Sequence, residues 1–189
     1  YKRQALKDAD AENKTLYIPV GTFDFDRKLV LSATDMRITG AGIWHTQLHF
    51  TSEEQAGGGI EFLDSSSNVE MDNLYMDSEL KSRFHQEANY KGIAGVLGEN
   101  SKLHDLWLEH FECGIWVGDY VEADKMKYTD ELTVSNSRIR NNFADGVNFA
   151  QGTRNSKVQN SNVRGNGDDG LAIWSSSKWD KEKKQGLSQ

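Results

Sequence analysis

The chain has 189 residues, a formal net charge of −7, 17 glycines, one proline and one cysteine. That length can bury a core and normally makes one domain. The acidity excludes the basic face a nucleic-acid partner needs, and no apolar run reaches the roughly 20 residues of a membrane span.

In chain order, Tyr1 follows neither an initiator Met nor a signal peptide, so it is expected to begin a fragment or a processed chain. Ala5, Leu6, Ala9 and Ala11 are the only helical candidate, a short capping helix before Asn13. Beyond it the sequence repeats. Five segments open with Gly and a branched apolar residue: Gly59-Ile60, Gly92-Ile93, Gly114-Ile115, Gly146-Val147 and Gly170-Leu171, spaced 33, 22, 32 and 24 residues apart. The shorter spacings approximate one coil, and the longer ones carry insertions around Asp77 to Lys91 and Gly118 to Asp130.

A second register lies between these strands. Val69/Leu74, Leu103/Leu108, Val134/Ile139 and Val158/Val163 place apolar residues five apart, with polar corners such as Asn136-Ser137 and Asn160-Ser161. Each coil thus offers two or three short strands, and no coil buries its apolar face without its neighbours. The expected fold is all-β, a right-handed parallel β-helix over residues 1–177, with a polar tail or loop at 178–189 leading to further coils. A β-sandwich would need hairpin spacings that the repeat lacks. Cys113, beside Gly114 in an apolar segment, is expected to be a small core residue.

Aligning the last two coils on their glycines brings out the chemistry. Asp145 precedes Gly146 and Asp169 precedes Gly170, while earlier coils hold Cys113 and Lys91 at the same place, so folding requires no acid there. Equivalent positions on neighbouring coils lie about one strand spacing apart, and Asp168 is adjacent. Gathered carboxylates favour one protonated acid beside ionised partners, the pairing that glycoside hydrolysis uses. Stacked acids also suit a structural Ca²⁺, although the acid–base chemistry requires no cofactor. Alternation along the strands places Trp116, Asn148 and Trp174 on the outer face, where indole rings can stack on sugars. Asn148, His110 and Arg164 are candidates to hydrogen-bond a substrate, and the two last are equally ordinary solvated side chains.

The stretch Ile139-Arg140-Asn141-Asn142-Phe143-Ala144-Asp145-Gly146-Val147-Asn148-Phe149, followed by Val163-Arg164-Gly165-Asn166-Gly167-Asp168-Asp169-Gly170-Leu171-Ala172-Ile173-Trp174, resembles glycoside hydrolase family 87. Leu16 to Phe23 and Gly40 to Thr46 resemble that family's opening segments. The resemblance implies a secreted enzyme that cleaves α-1,3-glucan, or a mixed α-1,3/1,4-glucan, with inversion. Its three aspartates fall on Asp145, Asp168 and Asp169. Two alternatives are a polygalacturonase-like hydrolase on the same fold, which would need basic residues for an anionic substrate, and a non-catalytic glycan-binding β-helix.

Overall fold

The computed structural model describes residues 15–53, 57–83, 90–119 and 125–174; the expected capping helix and the polar tail lie outside them. Among the described residues sixteen strands follow one another in coils. The first coil holds β1 (Thr15–Ile18), β2 (Gly21–Phe25) and β3 (Leu29–Leu31), and the second β4 (Arg37–Gly40), β5 (Thr46–Phe50) and β6 (Ile60–Phe62). In the third and fourth coils the first two strands merge, giving β7 (Glu70–Ser78) with β8 (Lys91–Gly95), then β9 (Lys102–Glu109) with β10 (Cys113–Val117). The fifth holds β11 (Thr133–Ser135), β12 (Arg138–Arg140) and β13 (Val147–Ala150), and the sixth β14 (Lys157–Gln159), β15 (Asn162–Arg164) and β16 (Leu171–Trp174).

Among the described residues every strand pairing is parallel and joins neighbouring coils. The result is a parallel β-helix, with the right hand that parallel crossovers take. Among the described residues no helix is long and apolar enough to cross a membrane.

Three apolar columns fill the interior. Leu16, Ile38, Met71, Leu103, Val134 and Val158 stack in the first. Phe23, Leu48, Met76, Leu108, Ile139 and Val163 form the second. Leu29, Ile60, Ile93, Ile115, Val147 and Leu171 form the third. Each fully buried member contributes about 1.5–3 kcal/mol.

One expected pair is displaced. In the third coil Met71 and Met76, not Val69 and Leu74, occupy the columns. Val69 and Leu74 are buried as well. A shift of two residues preserves the inward face, so apolar pattern alone cannot choose between them.

The corners explain the recurrent Asn-Ser. Asn73, Asp105, Asn136 and Asn160 bend the chain with φ of 56°, 51°, 52° and 51°, the left-handed region that Asn and Asp tolerate. Serine hydroxyls then accept backbone N–H groups of the coil before. Ser66 takes Ala33 N–H at 3.2 Å, Ser101 takes Val69 N–H at 2.9 Å and Ser137 takes Leu106 N–H at 3.2 Å.

Ser137→Ala is therefore expected to destabilise the protein by about 1–3 kcal/mol, the cost of a buried donor left unpaired. Chemical denaturation would measure it, and an unchanged midpoint would show that the Leu106 N–H finds another acceptor.

Candidate active site

The site forms where the chain turns from β12 into β13 and from β15 into β16. His110, Asn141 and Gly165 turn this corner on successive coils with φ of 64°, 56° and 65°. An amide ladder lies just inside it. Phe111 N–H donates to Asn142 Oδ1 at 3.1 Å, while the Asn142 main-chain N–H and Nδ2 both donate to Asn166 Oδ1 at 3.2 and 3.0 Å. Beyond the ladder, Gly146 N–H donates to Asp169 O at 2.9 Å and Gly114 N–H to Asp145 O at 3.1 Å. Asp145 and Asp169 thus hold equivalent places on neighbouring coils, in line with Cys113 below.

Asp145, Asp168 and Asp169 converge, each offering a carboxylate oxygen within 4.8 Å of those of the other two. Asp145 is half-buried, and Asp168 and Asp169 are exposed; none lies in the apolar columns. Asp145 is held at both oxygens. Asn148 Nδ2 donates to Oδ2 at 2.7 Å, and the Asp169 N–H donates to Oδ1 at 3.2 Å. Asn148 itself is 8% exposed, and its Oδ1 is buried without a hydrogen-bond donor. Beneath Asp145, burial pushes the Cys113 thiol pKa up, with Lys91 working against that and Asp145 adding to it. The thiol is therefore the inert core group its sequence context suggested.

The remaining candidates sit around these acids to different degrees. Trp116, Asn148 and Ala172 share one outer register position of β10, β13 and β16, and half-exposed Trp174 follows in register with Ala150. The Trp116 ring occupies the space beside Gly118. The main chain of His110 holds the corner: its N–H donates to Asn141 O at 3.2 Å and its carbonyl accepts the Ser78 hydroxyl at 2.5 Å. Arg164 is exposed on β15, in register with Arg140.

Sequence reasoning missed Arg83, whose Nη1 donates to Asp168 Oδ2 at 2.9 Å across 85 residues. Its only trace in the sequence is the insertion it sits on. A second group of ligand-type residues, Glu70, Asp72 and His104, gathers on another face of the helix. Arg37 already pairs with both of its carboxylates, at 2.8 Å from Asp72 and 3.3 Å from Glu70. Burial alone would raise the Asp72 carboxyl, but the hydrogen bonds from Arg37, Thr39 and Asn73 outweigh it and hold the pKa below its ordinary value.

The family model described as alpha-1,3-glucanase catalytic domain D2 matches residues 2–181. Among solved structures, the catalytic domain of Agl-KA is 47% identical with a TM-score of 0.86, over 92% of this chain and 31% of that one. A GH87 α-1,3-glucanase catalytic domain in complex with nigerose is 28% identical with a TM-score of 0.77, over 92% and 30%. The catalytic unit of a thermostable GH87 α-1,3-glucanase from Streptomyces thermodiastaticus strain HF3-3 is 26% identical with a TM-score of 0.74, over 92% and 29%. Saccharide complexes of such a catalytic domain include three single aspartate-to-alanine variants, at positions spaced 23 residues and then one residue apart. The comparison with curated proteins gave no match. This chain spans about 31% of the length of the first of these structures. On the family match and the 47% identity, the chain belongs to the α-1,3-glucanase catalytic domains of glycoside hydrolase family 87.

Proposed function

We propose that this chain supplies the catalytic acids of a secreted hydrolase that cleaves α-1,3-glucan. The observation that carries the reading is the convergence of Asp145, Asp168 and Asp169 within 4.8 Å on one outer corner. Their spacing of 23 residues and then one matches that of the three aspartates replaced in the saccharide-bound relatives. Secretion follows from the substrate, because a polymeric glucan is met outside the cell.

Asp168 acts as general acid and protonates the leaving glycosidic oxygen. Asp145 and Asp169 hold the attacking water and accept its proton. Asp145 suits that part because Asn148 and the Asp169 N–H fix both of its oxygens. Trp116 and Trp174 supply aromatic faces for glucosyl rings, and Asn148, His110 and Arg164 are the polar candidates for their hydroxyls. The chemistry is complete with carboxylates and water, so chelation is expected to leave the rate within about fivefold, well short of the roughly 10²-fold loss of a missing acid.

A neutral glucan suits the charges better than polygalacturonate. Arg83, Lys91 and Arg140 are each paired with a carboxylate, on Asp168, Glu112 and Glu109, rather than offered to an anionic polymer. Reducing-sugar release by the full-length protein from α-1,3-glucan, nigeran, dextran and polygalacturonate tests this. Release is expected from α-1,3-glucan and, for a mixed-linkage activity, from nigeran. Release from polygalacturonate alone would overturn the substrate assignment, and none from any of the four would favour a glycan-binding role.

Stereochemistry needs its own test. Oxygens within 4.8 Å lie nearer the roughly 5–5.5 Å of retaining pairs than the roughly 6.5–9.5 Å of inverting ones. We favour inversion, as the family resemblance implies, because a third carboxylate lets two acids share one water. The first anomer seen by proton NMR is then β, and an α product would overturn inversion.

A further inference from the structure

Asp168 lies open to solvent at the outer corner. Its side chain is 52% exposed, and Gly165, Gly167 and Gly170 surround it in the sequence, residues that leave the backbone soft. The main chain is tied by the Asp168 N–H to Ala144 O at 3.1 Å. The carboxylate is held by Arg83, at 2.9 Å. Arg83 belongs to the segment inserted between β7 and β8, on the third coil, whereas Asp168 is on the sixth. Three coils at roughly 4.8 Å each make a climb of about 14 Å. A contact between an exposed carboxylate and a half-buried guanidinium open to solvent contributes little to stability, so its consequence lies in the site rather than in the fold.

Resting on the reading of Asp168 as general acid, we infer that Arg83 is its positioning residue. The guanidinium fixes the carboxyl beside Asp145 and Asp169. It also meets the negative charge that Asp168 acquires during catalysis. In that step the O–H bond of Asp168 breaks, its proton joins the glycosidic oxygen, and the C–O bonding pair leaves with that oxygen. Arg83 keeps all its protons and donates to Oδ2 before and after, since the transferred proton sits on the other oxygen. Charge develops only as the proton leaves, so the contact is stronger in the transition state than in the ground state.

In the full-length protein, Arg83→Ala is expected to lower kcat on α-1,3-glucan about 10–100-fold with KM within about threefold, the size of effect that a misplaced group produces. Tm should stay unchanged. Arg83→Lys, which can still offer one charged N–H to one oxygen, should recover most of the loss, and Arg83→Gln should not. Equal rates for Lys and Gln would overturn the inference. In an Asp168→Asn background Arg83→Ala should have no further effect, because residues acting as a unit are not additive. An Asp168→Asn variant that remains active would remove the catalytic reading on which the inference rests. An inactive Asp168→Asn beside a fully active Arg83→Ala, or effects that multiply, would leave that reading intact and remove the role of Arg83.

Discussion

Asp145→Asn, Asp168→Asn and Asp169→Asn are each expected to slow α-1,3-glucan hydrolysis by the full-length protein about 10²–10⁴-fold, the contribution of a positioned acid or base. Asparagine keeps the shape and removes the proton chemistry, so the fold should survive all three. Their stabilities should nevertheless differ. Asp145 accepts from Asn148 and from the Asp169 N–H. An asparagine there has one oxygen for two donors, so one bond is lost at a cost of about 0.5–1.5 kcal/mol. Asp168 and Asp169 are exposed, and their replacements should leave the denaturation midpoint unchanged. Turnover and chemical denaturation on the same three variants check both parts. A variant within a few-fold of wild-type rate takes its aspartate out of the mechanism, and an unfolded Asp168→Asn would mean that its role is structural.

The site was legible in the sequence wherever it depended on the repeat. Asp145 and Asp169 could be aligned because glycines mark the same point of successive coils, and the backbone bonds from Gly114 and Gly146 bear that alignment out. Asn136-Ser137 and Asn160-Ser161 were legible as corners because a left-handed bend and a capping hydroxyl each demand a restricted residue type.

What the sequence hid was set by contacts that no local pattern encodes. Arg83 reaches Asp168 from an insertion 85 residues away. The corner role of the His110 main chain was hidden as well: it holds a φ of 64° where the next coils use Asn141 and Gly165. Alternation directed Leu171 and Ile173 inward, and they are in register with Val147 and Phe149. They are nevertheless 59% and 69% exposed, because burial in a stack needs a rung on both sides and none of the described residues lies above them.

Gly146→Ala is expected to destabilise the protein by about 1–3 kcal/mol, the cost of forcing an extra carbon into a packed interior, and to disable the site. A Cβ at Gly146 would stand 2.5 Å from Val163 Cγ1, 2.6 Å from Asn166 Nδ2 and 2.6 Å from Gly170 O. Val163 could turn aside, but the other two contacts belong to the amide ladder and to the backbone of the next rung. Gly170 O accepts the Val147 N–H at 3.0 Å, so it cannot retreat without opening the sheet. The fifth and sixth rungs would have to part at the corner that carries Asp145 and Asp169. A displacement of about 1 Å there would cost roughly 10²-fold in rate. The same crowding recurs at Gly92 against Gly114 O and at Gly114 against Gly146 O, at 2.6 and 2.7 Å, which is the physical reason for the glycine repeat. Gly170 is the internal control: its nearest neighbours would be Val163 Cγ1 and O at 3.9 Å, ordinary contact. In the 189-residue chain, Gly170→Ala should therefore change stability by less than about 0.5 kcal/mol, as surface substitutions usually do. Denaturation of the two variants side by side decides the matter, and equal midpoints would mean that something other than rung-to-rung crowding selects glycine in this column.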